Sequence, residues 1–156
     1  MDFETYYQLS KLYTDYAAAV DAKDWDGWVA FFEEDCSYKV QPRENYERGF
    51  PLATMNFISQ SMLKDRAYGI QETLFHDPYY QRHVVGAPRV LSFENGVIES
   101  EANYAVFRTK YNGESTVFNV GRYLDRITVG ANGLKIRSRL CIYDSEMIPN
   151  SIIYPI

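Results

Sequence analysis

The sequence predicts an α+β domain: helices packed on the concave side of a curved, mainly antiparallel sheet. Three observations carry this. Before about residue 76, apolar residues recur at spacings of three and four, the helical period. After it they alternate, the strand period. Three turn segments, Glu94-Asn95-Gly96, Tyr111-Asn112-Gly113-Glu114 and Gly130-Ala131-Asn132-Gly133, then cut the second half into long strands. With 156 residues and no linker, repeat or low-complexity stretch, residues 1–156 read as one domain.

The first helix is expected from Thr5 to Ala22, with Tyr6, Leu9, Tyr13, Tyr16 and Val20 on one stripe. Asp24 is a suitable N-cap for a short second helix whose buried face is Trp25, Trp28, Val29 and Phe32. A strand follows over Cys36 to Val40. Residues Pro42 to Pro51 are polar and turn-like, and Leu52 to Ile58 fits either strand or helix. The third helix is expected from Ser61 to Leu74, on a stripe of Leu63, Ala67, Ile70 and Leu74. Four strands complete the chain: Tyr79 to Phe93, Val97 to Lys110, Ser115 to Val129 and Leu134 to Asp144. The first should break near Gly86-Ala87-Pro88, because Pro88 has no N–H for a ladder. Strands this long imply a strongly coiled sheet.

The alternation makes the sheet one-sided. Ile98, Ala102, Tyr104 and Val106 share one face of their strand, and Glu99, Glu101 and Asn103 the other. In the last strand Leu134, Ile136, Leu140 and Ile142 oppose Lys135, Arg137 and Arg139. The three helices supply the cover that the apolar face needs. The second face is expected to carry Phe107, Tyr123 and Tyr143 among its charges, a mixture typical of protein–protein surfaces. The apolar tail residues Ile148, Ile152, Ile153, Tyr154 and Ile156 should dock, on their own sheet or, as we favour, across a subunit boundary. The subunit-interface candidates are therefore Phe107, Tyr123, Tyr143, Ile152, Ile153, Tyr154 and Ile156. The 14 Tyr and 9 Phe suit either large contact surfaces or an aromatic core.

Composition excludes several functions. Sixteen basic against 21 acidic residues, a net charge of −5, argues against nucleic acid or an anionic membrane as partner. No apolar run reaches the ~20 residues of a membrane helix. The acidic start Met1-Asp2-Phe3-Glu4 is unlike a signal peptide, so a cytoplasmic location is expected. The chain has only Cys36, Cys141, His76 and His83 as Cys and His donors. That is too few for a zinc module in the spacing such modules use, and the two cysteines read as free buried thiols. His76, His83 and Asp77 could be drawn as a two-histidine, one-carboxylate iron site, but no helix or strand period places both histidines on one face. An acid/base pocket would need His83 as its base. Of its possible partners on the first helix, Asp15 should face solvent and Asp21 lies about 100° from the buried stripe.

Several segments together resemble a known family. They are Asp24-Trp25-Asp26-Gly27-Trp28 followed by Phe32 and Asp35-Cys36-Ser37-Tyr38; Met62-Leu63-Lys64-Asp65-Arg66; and Arg82-His83 leading to Gly86-Ala87-Pro88-Arg89-Val90. In this order and spacing they resemble the small (beta) subunits of ring-hydroxylating Rieske non-haem iron oxygenases, over nearly the whole chain. The segments Asn45-Tyr46-Glu47-Arg48 and Phe75 to His83, and the tail from Cys141 onward, are most similar to small subunits of salicylate 5-hydroxylases, with those of terephthalate dioxygenases more distant.

The resemblance implies a cystatin-like (NTF2-like) cone and a hexamer of three large and three small subunits. It implies an NADH-dependent enzyme fed by a reductase and a ferredoxin, converting an aromatic carboxylate such as salicylate to gentisate. A Rieske [2Fe-2S] cluster takes two Cys and two His, and a mononuclear iron site two more His and a carboxylate. Two histidines cannot serve both, so the metals are expected in the large subunit. This chain is expected to hold no cofactor, metal or catalytic residue. The rival reading is a stand-alone isomerase or dehydratase of the same fold, with His83 as general base.

Overall fold

The computed structural model describes residues 1–148 and 151–156. Helix α1 (Phe3–Asp21) is capped by Asp2, whose carboxylate accepts the Thr5 N–H at 2.8 Å. It buries Leu9, Leu12, Tyr13, Tyr16, Ala17 and Val20. The chain reverses through Lys23 at φ 59° into α2 (Trp25–Ala30). Asp24 caps α2 by accepting the Gly27 N–H at 2.9 Å. A Cβ at position 27 would meet the Asp24 carboxylate, so glycine leaves that side chain free to take its capping position. Trp25, Trp28 and Val29 are buried as expected, but Phe32 begins strand β1 (Phe32–Pro42) instead of ending the helix.

The polar stretch after β1 contains a one-turn helix, α3 (Arg43–Glu47), and the ambiguous segment is resolved as a short strand, β2 (Met55–Phe57). Helix α4 (Gln60–Tyr68), capped by Ser59, passes into a π-helical turn over Gly69–Thr73. The expected third helix is thus present in a wider-wound form over its last third.

Five strands follow: β3 (Tyr79–Val85), β4 (Arg89–Glu94), β5 (Val97–Lys110), β6 (Ser115–Gly130) and β7 (Gly133–Tyr143). The Pro88 break separates β3 from β4, and both pair with β5. Asn95 (φ 52°) and Gly96 (φ 74°) turn the β4–β5 hairpin in the left-handed region that favours these residues. The sheet order is β2-β1-β7-β6-β5-β3, with β4 beside β5. All pairs are antiparallel except β1 with β7. A side chain at Gly121 would collide with the Ile142 carbonyl, so glycine lets β6 close tightly on β7.

The sheet coils around α1, α2 and α4, and one aromatic-rich core fills the cone. No helix among the described residues is long and apolar enough to cross a membrane.

The structure corrects the expected faces of the sheet. The β6–β7 register shifts between Arg126 and Ile127, so Ile127 faces Ile136 while Arg126 faces Ser138, and Arg137 is the extra residue. One extra residue inverts the phase. Leu134 and Ile136 start β7 on the inner face, but beyond the bulge Arg139, Cys141 and Tyr143 point inward. Arg139, expected among surface charges, is 1% exposed. Tyr123 and Tyr143, expected on the polar face, lie in the core. Phe107 is half-buried.

The tail docks on its own cone. Ile152, Tyr154 and Ile156 are buried in the core and Ile153 packs partly against it. The side chains offered as interface candidates at Tyr123, Tyr143, Ile152, Tyr154 and Ile156 therefore have their contacts within the chain.

Candidate functional site: the interior of the cone

Ser100, Asp125, Arg139 and Tyr38 fall on one register row across β5, β6, β7 and β1. Arg139 donates to both carboxylate oxygens of Asp125, at 2.9 and 2.7 Å, and both side chains are fully buried. The rings of Tyr13, Tyr16 and Tyr123 lie around the guanidinium, their centroids 5.0, 4.0 and 4.2 Å from its carbon. Burial works against the Arg139 charge, but Asp125 and the tyrosine cage outweigh it and hold the guanidinium protonated. Tyr13 also hydrogen-bonds Ser100 at 3.1 Å. This network pins α1 to the sheet.

Beside it ends the tail. The Tyr16 and Tyr38 hydroxyls both donate to the Ile156 oxygen, at 2.8 and 3.1 Å, and the Ile156 N–H donates to Tyr38 at 2.8 Å. Trp28 Nε1 donates to Tyr16 at 3.2 Å. Arg66 on α4 donates to the Ile152 and Ile153 carbonyls at 3.2 and 2.6 Å. His76 Nε2 and the Tyr154 hydroxyl share a 2.8 Å hydrogen bond, and Gln81 donates to the Pro155 carbonyl at 3.3 Å. Desolvation pushes the Tyr38 and Tyr123 hydroxyls well above the ordinary phenol range. It pushes Tyr79 and the Cys141 thiol up to about 12. Cys36 and Cys141 are free and buried, as expected.

His83 points inward from β3. Its Nδ1 donates to Asp21 Oδ1 at 2.6 Å, and its backbone N–H donates to Asp21 Oδ2 at 2.9 Å. Asp15 is exposed and paired with Lys11, as its angle on the helix predicts. Asp21 departs from the expectation. It lies off the stripe, but the flank of the last turn of α1 lies against β3, so it meets His83. The pair has the orientation of an acid/base dyad, but the His83 side chain is fully buried and Nε2 has no partner among the described residues. A general base must reach its substrate's proton. This one is sealed behind the helix, and it serves here to fasten α1 to β3.

A family model described as "Ring hydroxylating beta subunit" matches residues 16–150. The chain belongs to this family. Among curated relatives of this beta subunit, the small subunit of anthranilate 1,2-dioxygenase from Burkholderia cepacia is 29% identical over 155 residues, covering 99% of this chain and 96% of the relative. The beta 1 subunit of the terminal oxygenase component of terephthalate 1,2-dioxygenase from Comamonas sp is 28% identical over 149 residues, covering 96% and 97%. Among solved structures, a beta subunit from Novosphingobium aromaticivorans, described as belonging to an aromatic-ring-hydroxylating dioxygenase, superposes with TM-score 0.87 at 31% identity, covering 95% of this chain and 94% of that one. The likeness extends to the cone fold, the NTF2-like architecture expected from the sequence.

The metal centres of Rieske oxygenases do not fit the donors of this beta subunit. His76 is engaged with Tyr154 and His83 with Asp21. Among the described residues no three His, Cys, Asp or Glu side chains converge as a metal site.

Sequence reasoning missed the Asp125–Arg139 pair. The signal was available: Ile136 and Cys141 are both strongly apolar yet lie an odd number of residues apart, so β7 needs a phase break to bury both. That break carries Arg139 inward.

Proposed function

We propose that this beta subunit is the non-catalytic small subunit of a multicomponent, NADH-dependent oxygenase that hydroxylates an aromatic carboxylate. The observation that carries the reading is the family match along 135 of 156 residues, from 16 to 150. The relatives' substrates, anthranilate and terephthalate, are both benzene carboxylates. Anthranilate, like salicylate, has a polar group beside its carboxylate, which supports the closer resemblance to salicylate 5-hydroxylases and the conversion of salicylate to gentisate. In this reading the Rieske cluster and the mononuclear iron belong to the large subunit, which this chain joins in a hexamer of three large and three small subunits. A ferredoxin and a reductase supply electrons, and the complex works in the cytoplasm. The stand-alone isomerase reading loses support because His83 is sealed behind α1.

With the tail turned inward, the surface available for assembly is the outer face of the sheet. Val84, Ala105 and Val120 share one register row across β3, β5 and β6, and Arg82, Phe107 and Val117 the next. Val84 and Val117 are 59% and 60% exposed. Adjacent exposed apolar side chains of this kind mark contact surfaces. Of the interface candidates, Phe107 alone belongs to this patch. Replacing Val117→Glu and Val120→Glu together should reduce co-purification with a tagged large subunit at least 10-fold while moving the melting temperature of the isolated chain little. Undiminished capture would remove this face from the assembly.

A further inference from the structure

We infer that the segment Ser151–Ile156 is a detachable strap, and that beneath it lies a binding site for a small apolar molecule bearing a carboxylate or carbonyl oxygen. The attachment of the strap points to this. It buries Ile152, Tyr154 and Ile156, yet among the described residues none of it forms a hydrogen bond from its backbone to another residue's backbone. Among the described residues each hydrogen bond holding it runs to a side chain: Tyr16, Tyr38, Arg66, His76, Gln81 or the Cys141 thiol. The sheet ladders do not include it, so its release leaves them intact, unlike the release of any strand. Residues Asp144–Met147, which lead towards it, are exposed.

The receptor under the strap has a definite chemistry. Two phenol hydroxyls converge on one oxygen, that of Ile156, and Trp28 supports one of them. The aromatic walls are Trp25, Trp28, Tyr38 and Tyr79, with the Tyr154 ring 5.2 Å from Trp25 and 4.5 Å from Tyr79. Polar groups of this cone wall remain without partners among the described residues: Gln81 Oε1, Tyr123 Oη and Arg139 Nη1, each belonging to a residue at most 3% exposed. Buried groups of this kind offer further donors and an acceptor to a guest. An aromatic acid presents the features that the strap presents: a flat or branched apolar body and an oxygen for the Tyr16–Tyr38 clamp. The inference concerns the interior of this chain alone and does not require the oxygenase reading.

The test uses the full chain, with benzoate as probe. Native-state hydrogen exchange followed by NMR should show the Ile156 N–H exchanging at least 10-fold faster than ladder amides of β5 and β6. Arg66→Met, which removes two strap hydrogen bonds from outside the receptor, should speed Ile156 exchange at least a further 10-fold and leave the ladder unchanged. Benzoate should bind saturably, tighten at least 10-fold in Arg66→Met, and abolish the residual protection of Ile156. If that variant does not fold, the wild-type chain decides: benzoate must accelerate Ile156 exchange and shift the Trp28 indole resonance. Ile156 exchanging at the ladder rate, no saturable benzoate binding, or binding that leaves Ile156 protected would each overturn the inference.

Discussion

Asp125→Ala should be the most damaging single substitution in this chain that leaves the hydrophobic side chains untouched. It strands the Arg139 guanidinium in a fully buried site among three tyrosine rings. Breaking a buried pair by removing one partner costs about 3–5 kcal/mol. At about 2–4 °C per kcal/mol for a domain of this size, the melting temperature should fall by roughly 6–20 °C. Replacing both partners, Asp125→Leu with Arg139→Met, should recover most of the loss, because the uncompensated charge is gone. Thermal unfolding by circular dichroism checks both. A near-neutral Asp125→Ala would mean that the pair is hydrated and the cone interior wet.

Ending the chain at Asn150 should cost about as much and still leave a cooperative fold. The strap buries three large side chains, each contributing about 1.5–3 kcal/mol. Leaving aside the weak Cys141 thiol contact, its seven other hydrogen bonds add about 1 kcal/mol each. Ordering six residues costs about 1–2 kcal/mol apiece. The balance is a net stabilisation of about 5 kcal/mol, so truncation should lower the melting temperature by roughly 10–20 °C with a single transition retained. The tail's burial at home replaces the expectation that it bridges subunits. An unchanged melting temperature, with loss of assembly mass in light scattering, would restore that expectation.

The parts of the fold legible in the sequence are those governed by local rules. The Leu9-Tyr13-Tyr16-Val20 stripe, the Asp24 cap, the Pro88 break and the Asn95-Gly96 hairpin each follow from neighbouring residues. What was not legible depends on distant partners. The parallel pairing of β1 with β7 joins residues about 100 apart, and no local pattern encodes it. The Arg137 bulge transfers Arg139 from the outside of the sheet to its centre, and it is legible only if Ile136 and Cys141 are required to share a face. Asp21 looked misplaced because a helix flank was judged by the direction of its apolar stripe, whereas β3 lies against that flank. The aromatic richness serves both places: Tyr13, Tyr16, Tyr38, Tyr104 and Tyr123 are core residues, while Phe3, Tyr7, Tyr68, Phe75 and Tyr80 are exposed. The outer patch around Val84 and Val117 is aliphatic apart from Phe107.

The most direct test of the account is iron content and salicylate turnover, measured on the purified chain alone and on the chain co-produced with a Rieske large subunit, both supplied with ferredoxin, reductase and NADH. The account predicts no bound iron and no hydroxylation from the chain alone, and both from a co-purified complex. A folded lone chain that transforms an aromatic substrate, and stops doing so in His83→Ala, would contradict it.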